Sequence, residues 1–407
     1  MKKPDRRPVF ALSLLLVAVA TLALASRVYF VCCYFQGYKV GGLVEGLVPP
    51  ELGGVSNFNS TLLRMASYHS WDAKLGHNIK EILRGVIGFK TWFRAFNIWR
   101  RFTNFPGVEL QDPTSSGCTV LSPTINNPKF NRFCFDVRWN LDEWMRKMRF
   151  DDNIMLDLVK LVKRPLDAHI RGGAGLGSER KYESCAVVGN SGILSEKEYG
   201  ELIDGHELVI RLNNAMIGGF QRSVGSKTGI SFVNSHIMHL CTIKSESCEC
   251  HPYGNDVPIV MYICHPYHLL DYTACNSTYK SPVLITDPSF DVLCARIVKY
   301  YSLKRFAEEN PGRNLMEWDG VHHEPFFHYS SGMQAVMLAV GICDRVSLFG
   351  FGKSNTSRHH YHTNQTKELS LHDFAAEQDL FRDLVERPRS IPFVSEKFEF
   401  PRVTIYR

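Results

Sequence analysis

His359, His360 and His362 fall within four residues, and His372 follows ten residues after His362. Imidazole titrates near neutrality, so such a group can supply both an acid and a base to one reaction centre. The same residues could ligate a metal. The spacing favours acid–base chemistry. Glu377 stands five residues after His372, off the i,i+4 face on which zinc helices present their ligands. Upstream, His328-Tyr329-Ser330-Ser331-Gly332 leads into the apolar run Met333–Ile342. Ser330 and Ser331 suit a helix N-cap. With Gly332 they also frame free N–H groups at the positive end of a helix dipole, which is an anion site. Capping alone is the plainer alternative.

Two asparagines extend this set. Cys185–Val188 is a short apolar run that breaks into Gly189-Asn190-Ser191-Gly192. Glycines there let the chain turn sharply and approach a ligand closely. Glu207–Leu212 ends in Asn213-Asn214. An amide both donates and accepts, which suits ribose hydroxyls, a phosphate or a base edge. Taken singly, either asparagine is equally a turn residue. The glycine spacing is not the dinucleotide fingerprint. The glycine-rich run 172–177 follows no apolar strand and reads as a flexible link.

The elements that must position these groups are strands alternating with helices. Strands are expected at 184–188, 207–212, 229–234, 257–263, 282–286 and 345–351. Helices are expected at 153–162, ending before Pro165, and at 289–304, 330–342 and 373–386. That alternation predicts one α/β domain over 151–407, Rossmann-like, with a mostly parallel sheet covered by helices on both faces. Residues 103–150 read as irregular. At 74–102, apolar and aromatic residues recur at helical spacing among lysines and arginines. This predicts a basic amphipathic helix, packed on its own domain or lying on a membrane. Residues 31–150 as a whole read as a stem that carries this helix.

Lys2, Lys3, Arg6 and Arg7 precede the apolar stretch Val9–Ala25, and a second apolar run follows Arg27. About 20 apolar residues span a bilayer. A signal anchor is expected at 9–30 behind a cytosolic tail, 1–8, with the rest translocated. A peptide cleaved after Ala23-Leu24-Ala25 is the rival reading. Sequons at Asn59, Asn276, Asn355 and Asn364 agree with a lumenal body, as do twelve cysteines. A formal charge of +6 is modest for 407 residues and does not point to nucleic acid. Cys241, Cys248, Cys250 and His251 could form a zinc module, but in an oxidising lumen disulfides are the stronger expectation.

Together these segments resemble glycosyltransferase family 29, the sialyltransferase family. Its large, small, third and very small motifs correspond to Cys185–Asn234, His328–Gly350, His360–Thr363 and His372–Glu377. Cys248–Gly254 and Tyr329–Val336 are similar to the plant sialyltransferase-like branch. The resemblance implies that Asn190 and Asn213 hold the nucleotide phosphate and ribose, and that Ser330, Ser331 and Gly332 bind cytidine. It implies His360 at the donor phosphate, His372 as the base, and Glu377 as completing the catalytic set. It also implies a Cys185–Cys343 disulfide. Two positions depart from animal members. His328-Tyr329 stands where they often have Tyr-Pro, and Thr363 stands where an acidic residue is common.

The expected enzyme is a Golgi type II membrane protein. It transfers sialic acid or a related sugar from a CMP-sugar to a galactose-ended glycan or glycoprotein, with inversion. No metal or other cofactor is expected, because the chain has no Asp-x-Asp and two histidines suffice for the chemistry. A galactosyltransferase using UDP-galactose on arabinogalactan-type glycans is the alternative. A non-catalytic scaffold in complex with other glycosyltransferases is a further one, against which the intact histidines argue.

Overall fold

The computed structural model describes residues 55–68, 128–170, 179–244, 248, 250–276, 279–322, 327–354, 357–364 and 371–407. The expected span 9–30, the basic helix 74–102, the glycine run 172–177 and Asn355 lie outside them. No described helix is long and apolar enough to cross a membrane. Phe58–Arg407 forms one compact unit. Of the other unit, Met1–Asn57, only Val55–Asn57 is described.

Among the described residues, seven strands build one sheet: β1 Cys185–Val188, β2 Leu208–Leu212, β3 Ile230–Asn234, β4 Ile259–Tyr262, β5 Val283–Ile285, β6 Arg345–Phe349 and β7 Arg402–Tyr406. Their order is β5-β4-β3-β2-β1-β6-β7, and every pairing is parallel. β1 and β4 are continuous apolar runs, buried at every position, because both faces of the sheet are covered. The six expected strands all lie within their expected ranges. β7 was not expected. It is an edge strand whose Val403 is its one fully buried residue, so its local apolar signal is weak.

The described α-helices, in chain order, are α1 Val55–Ser67, α2 Pro128–Lys147, α3 Ile154–Leu158, α4 Arg164–Ile170, α5 Gly200–Asp204, α6 Gln221–Val224, α7 Ser235–Lys244, α8 His268–Asn276, α9 Pro288–Glu309, α10 Trp318–His322, α11 Ser331–Ile342 and α12 Phe374–Glu386. Every residue of α11 is buried. It lies across β1, β2, β3 and β6, which explains a run apolar on all sides rather than amphipathic.

Two readings are corrected. Residues 103–150 are not irregular throughout. Val137, Leu141 and Trp144 make a buried stripe on α2, packed with Leu269 and Leu270 of α8. The stripe is narrow and sits in a charged sequence, which hides its period. The helix expected to stop before Pro165 instead continues through it. Val159–Lys163 is a wide π turn in which the Arg164 N–H bonds to the Val159 carbonyl. That register shift accommodates a residue with no N–H.

The zinc grouping does not form. Cys248 is bonded to Cys275. His251 uses Nδ1 to accept the Tyr253 N–H at 3.2 Å and Nε2 to pair with the Tyr279 hydroxyl at 2.8 Å. Cys185 and Cys343 are bonded to each other across 158 residues. This ties the start of β1 to the end of α11. Removing such a bond costs about 2–5 kcal/mol. Cys185→Ala and Cys343→Ala should therefore each lower the melting temperature and the secreted yield. Peptide mapping of the native protein should recover the linked pair, and recovery of both as free thiols would refute the assignment.

Candidate active site

Strand order reverses between β1 and β6, and ligands of open parallel sheets bind at the carboxyl ends beside such a point. Here the two strand ends are in direct backbone contact. Gly189 N–H donates to the Phe349 carbonyl at 2.7 Å. A Cβ on Gly189 would stand 2.5 Å from the Gly350 oxygen. One on Gly192 would stand 2.4 Å from the Arg358 oxygen. The glycines thus serve close packing of chain on chain, rather than the approach to a ligand expected of them. Ser191 Oγ donates to the Gly352 carbonyl at 2.6 Å, and Tyr361 N–H donates to the Asn190 carbonyl at 2.9 Å. The loop after β1 and the histidine segment form one unit. Within it Asn190 Oδ1 is buried without a hydrogen-bond partner among the described residues.

Asn213, directly after β2, has φ of 53°, a left-handed conformation that asparagine tolerates better than most residues. Its Nδ2 is 3.4 Å from Ser331 Oγ. Asn234 Nδ2 and the Tyr262 hydroxyl reach the same Oγ at 3.3 and 3.0 Å. Ser330 caps α11 by accepting the Met333 N–H at 3.1 Å. By helix geometry the N–H groups of Ser331 and Gly332 have no partner inside the helix. A Cβ on Gly332 would lie 3.0 Å from the Phe351 ring, which would have to give by a few tenths of an ångström to admit it.

Glu377, expected in the catalytic set, is committed to this cap. Its two oxygens accept the Ser330 N–H at 2.7 Å and the Ser330 hydroxyl at 2.6 Å. Burial pushes its carboxyl up to about 7, against the opposing pull of those two bonds. It is a positioning residue.

His372 is oriented by the backbone. Its Nδ1 lies 2.7 Å from the His328 carbonyl, which can only accept, so Nδ1 carries the proton and Nε2 holds a lone pair. Burial lowers its pKa, with His359 acting in the same direction. The partner strap is reciprocal: His328 N–H donates to the Leu371 carbonyl at 3.1 Å. His360 is pushed down to about 4 by burial and by His359 and His362, so it is neutral at pH 7. The His360 and His362 rings lie parallel at 5.5 Å. The ring of His359 is 4.3 Å from that of His360 and 5.8 Å from that of Phe374, which is 5.5 Å from that of His372. The two histidine segments therefore converge through His359 and Phe374. Among the described residues, no group of three or more His, Cys, Asp or Glu is arranged to hold a metal. Asn59, Asn276 and Asn364 are exposed, and Asn364, two residues beyond His362, accepts from Arg358 Nη1 at 3.2 Å.

Asn234 and Tyr262 were not among the expected site residues. Asn234 stands at a strand end as Asn213 does, and that signal could have found it. Arg211 was also missed. It is 1% exposed, its Nε donates to Lys227 O and Thr228 Oγ1 at 3.0 Å, and its two amino groups have no partner among the described residues.

Glu377→Ala should leave two buried Ser330 donors unpaired, at about 1–3 kcal/mol for each group. The folded pKa of about 7 lies above the ordinary 4.5. Its contribution is therefore fully present in acid and is lost as pH rises from about 4.5 through about 7. Thermal unfolding across that window should show a shallower pH slope in Glu377→Gln than in the wild type; equal slopes would dismiss the shift.

The family model for glycosyltransferase family 29 (sialyltransferase) matches residues 132–388. The chain is 56% identical over 283 residues to "Beta-1,6-galactosyltransferase GALT29A" of Arabidopsis thaliana, covering 70% of each chain. It is 40% identical over 424 residues to "Sialyltransferase-like protein 1" of Oryza sativa subsp. indica, covering 100% of both. A solved mammalian sialyltransferase matches 67% of this chain and 84% of its own, with 24% identity and a TM-score of 0.36. A family match across more than half of the chain, joined to those plant relatives, makes this protein a member of glycosyltransferase family 29 and a glycosyltransferase.

Proposed function

We propose that the chain transfers a galactosyl residue from a nucleotide-sugar donor to a glycan hydroxyl by a single inverting displacement. His372 Nε2 takes the acceptor proton as the acceptor oxygen bonds to the anomeric carbon. The bond from that carbon to the donor phosphate breaks, and its electron pair leaves with the phosphate. Asn190, Asn213 and the Ser330-Ser331-Gly332 cap hold the nucleotide. His360 donates a hydrogen bond to the departing phosphate, and the α11 N-terminus meets its charge. The observation that carries the reading is the 2.7 Å bond from His372 Nδ1 to the His328 carbonyl, which leaves Nε2 ready to accept. The 56% identical relative named a galactosyltransferase supports galactose. Transfer of sialic acid from a CMP-sugar is the second reading, supported by the four sialyltransferase motifs in the sequence.

The same proposal includes a Golgi type II topology, which rests on the basic flank, the apolar run and the sequons. Protection of an N-terminal tag from protease in intact microsomes would refute that orientation.

His372→Ala should cut turnover by about 10²–10⁴-fold with nucleotide affinity nearly unchanged. His360→Ala should weaken both. Retention of turnover within a few-fold in His372→Ala would remove it as the base. For the donor, UDP and CMP are compared by thermal shift, then UDP-galactose and CMP-sialic acid by product formation. A ligand at a hundredfold excess over Kd stabilises by about 2.7 kcal/mol. Stabilisation by UDP with galactose transfer is expected. Stabilisation by CMP alone with sialic acid transfer would install the second reading.

A further inference from the structure

Beneath the α11 cap, Asp291 of α9 and Gln334 of α11 are in contact and fully enclosed. Gln334 is 0% exposed and Asp291 is 5% exposed. Gln334 Nε2 donates to Asp291 Oδ1. Thr286 Oγ1 donates to that same oxygen at 2.7 Å. Each side chain is left with one buried oxygen that has no partner among the described residues: Asp291 Oδ2 and Gln334 Oε1. Both are acceptors if the carboxyl is ionised, and a desolvated carboxylate oxygen without a donor is a costly arrangement. A single proton resolves both. On Oδ2 it becomes a donor, and Oε1 is the acceptor on the group already bound to the other carboxyl oxygen. Acid and amide then share two antiparallel hydrogen bonds.

The surroundings hold the proton in place. Facing Asp291 are Tyr262 of β4, Cys264 just after it, Asp287 and Cys294 at the start of α9, and Tyr329 ahead of α11. Each of these becomes an anion on losing its proton, so none favours ionisation of Asp291. Lys147, the last residue of α2, is paired with Asp287 and with Glu143, each at 3.3 Å. Burial pushes the Asp291 carboxyl up to about 8, while the bonds from Thr286 and Gln334 act in the opposite direction.

We propose that Asp291 is a protonated positioning residue, donating from Oδ2 to Gln334 Oε1 and so fastening the first turns of α9 and α11 without placing a charge behind the cap. The link reaches the site in one step, because the Gln334 N–H donates to the Ser330 carbonyl at 3.2 Å. It reaches the sheet through Thr286, whose N–H donates to the Met261 carbonyl at 2.8 Å. A carboxylate at that place would oppose an anion at the α11 N-terminus. This consequence for binding rests on the nucleotide reading above; the protonation itself does not.

The test compares purified full-length wild type with Asp291→Asn, which keeps the shape and offers an N–H in place of the O–H, and with Asp291→Ala. The infrared difference between wild type and Asp291→Asn near neutral pH should contain a protonated carboxyl band. Asp291→Asn should melt close to the wild type, and Asp291→Ala well below both. The folded value lies above the ordinary 3.8, so wild-type stability relative to Asp291→Asn should fall as pH rises from about 4 to about 8. The Kd for UDP or CMP should rise about tenfold in the wild type from about pH 7 to about pH 9, the order expected of one desolvated charge, and stay flat in Asp291→Asn. A difference spectrum with carboxylate bands only, or an Asp291→Asn as unstable as Asp291→Ala, overturns the proton. Affinity that falls equally in both proteins overturns its role behind the cap. Failure of both nucleotides to bind the wild type counts against the nucleotide reading, and the infrared spectrum still decides the proton.

Discussion

The ends of β1 and β6 meet with no space for a side-chain carbon between them. Gly189 sits against the Gly350 carbonyl, and the Gly189 N–H is spent on Phe349. Any larger residue would push the strands apart at the point where sheet order reverses. The rest of the site is hung from this contact. It sets the loop that carries Asn190, and through Gly192 and Tyr361 it sets the histidine segment relative to that loop. The Cys185–Cys343 bond secures the opposite end of the same strand to α11. The helix whose start forms the cap is therefore registered on the strand whose end forms the loop.

Apart from the buried Arg211 guanidinium, the ionisable groups of the site built on this frame are shifted by burial toward their neutral forms. Burial lowers the pKa of His328, His360 and His372, and it raises those of Glu377 and Asp291. At the cap, backbone dipoles supply positive potential. Such oriented dipoles need no reorganisation when a charged group arrives. Neutral imidazoles suit the two proposed roles in different ways. His372 accepts a proton because it has none on Nε2, and His360 donates a hydrogen bond without holding a permanent charge.

Several elements were legible from local pattern alone. The runs at Cys185–Val188 and Ile259–Tyr262 are apolar at consecutive positions because parallel strands are covered on both faces. The Ser330 cap followed from a hydroxyl residue ahead of an apolar helix, and the histidine clusters followed from composition. Others were hidden for physical reasons. Only one residue of β7 is fully buried, so its sequence carries little of the signal that marks a strand. The stripe on α2 is diluted by charges. The passage of helix through Pro165 depends on a π turn that tertiary packing stabilises and no local propensity announces.

What the chain determined by itself is the kind of element formed at each place and the chemistry available at its ends, because backbone propensity, capping and turn formation act over a few residues. Partnership was decided only by the tertiary structure. Glu377 meets Ser330 across 47 residues. Asn213, Asn234 and Tyr262 converge on Ser331 from three neighbouring strands, and two glycines read as ligand-facing turn out to face backbone. These pairings require knowing which strands are adjacent. Adjacency is a global outcome of packing the whole sheet, and no window of sequence contains it.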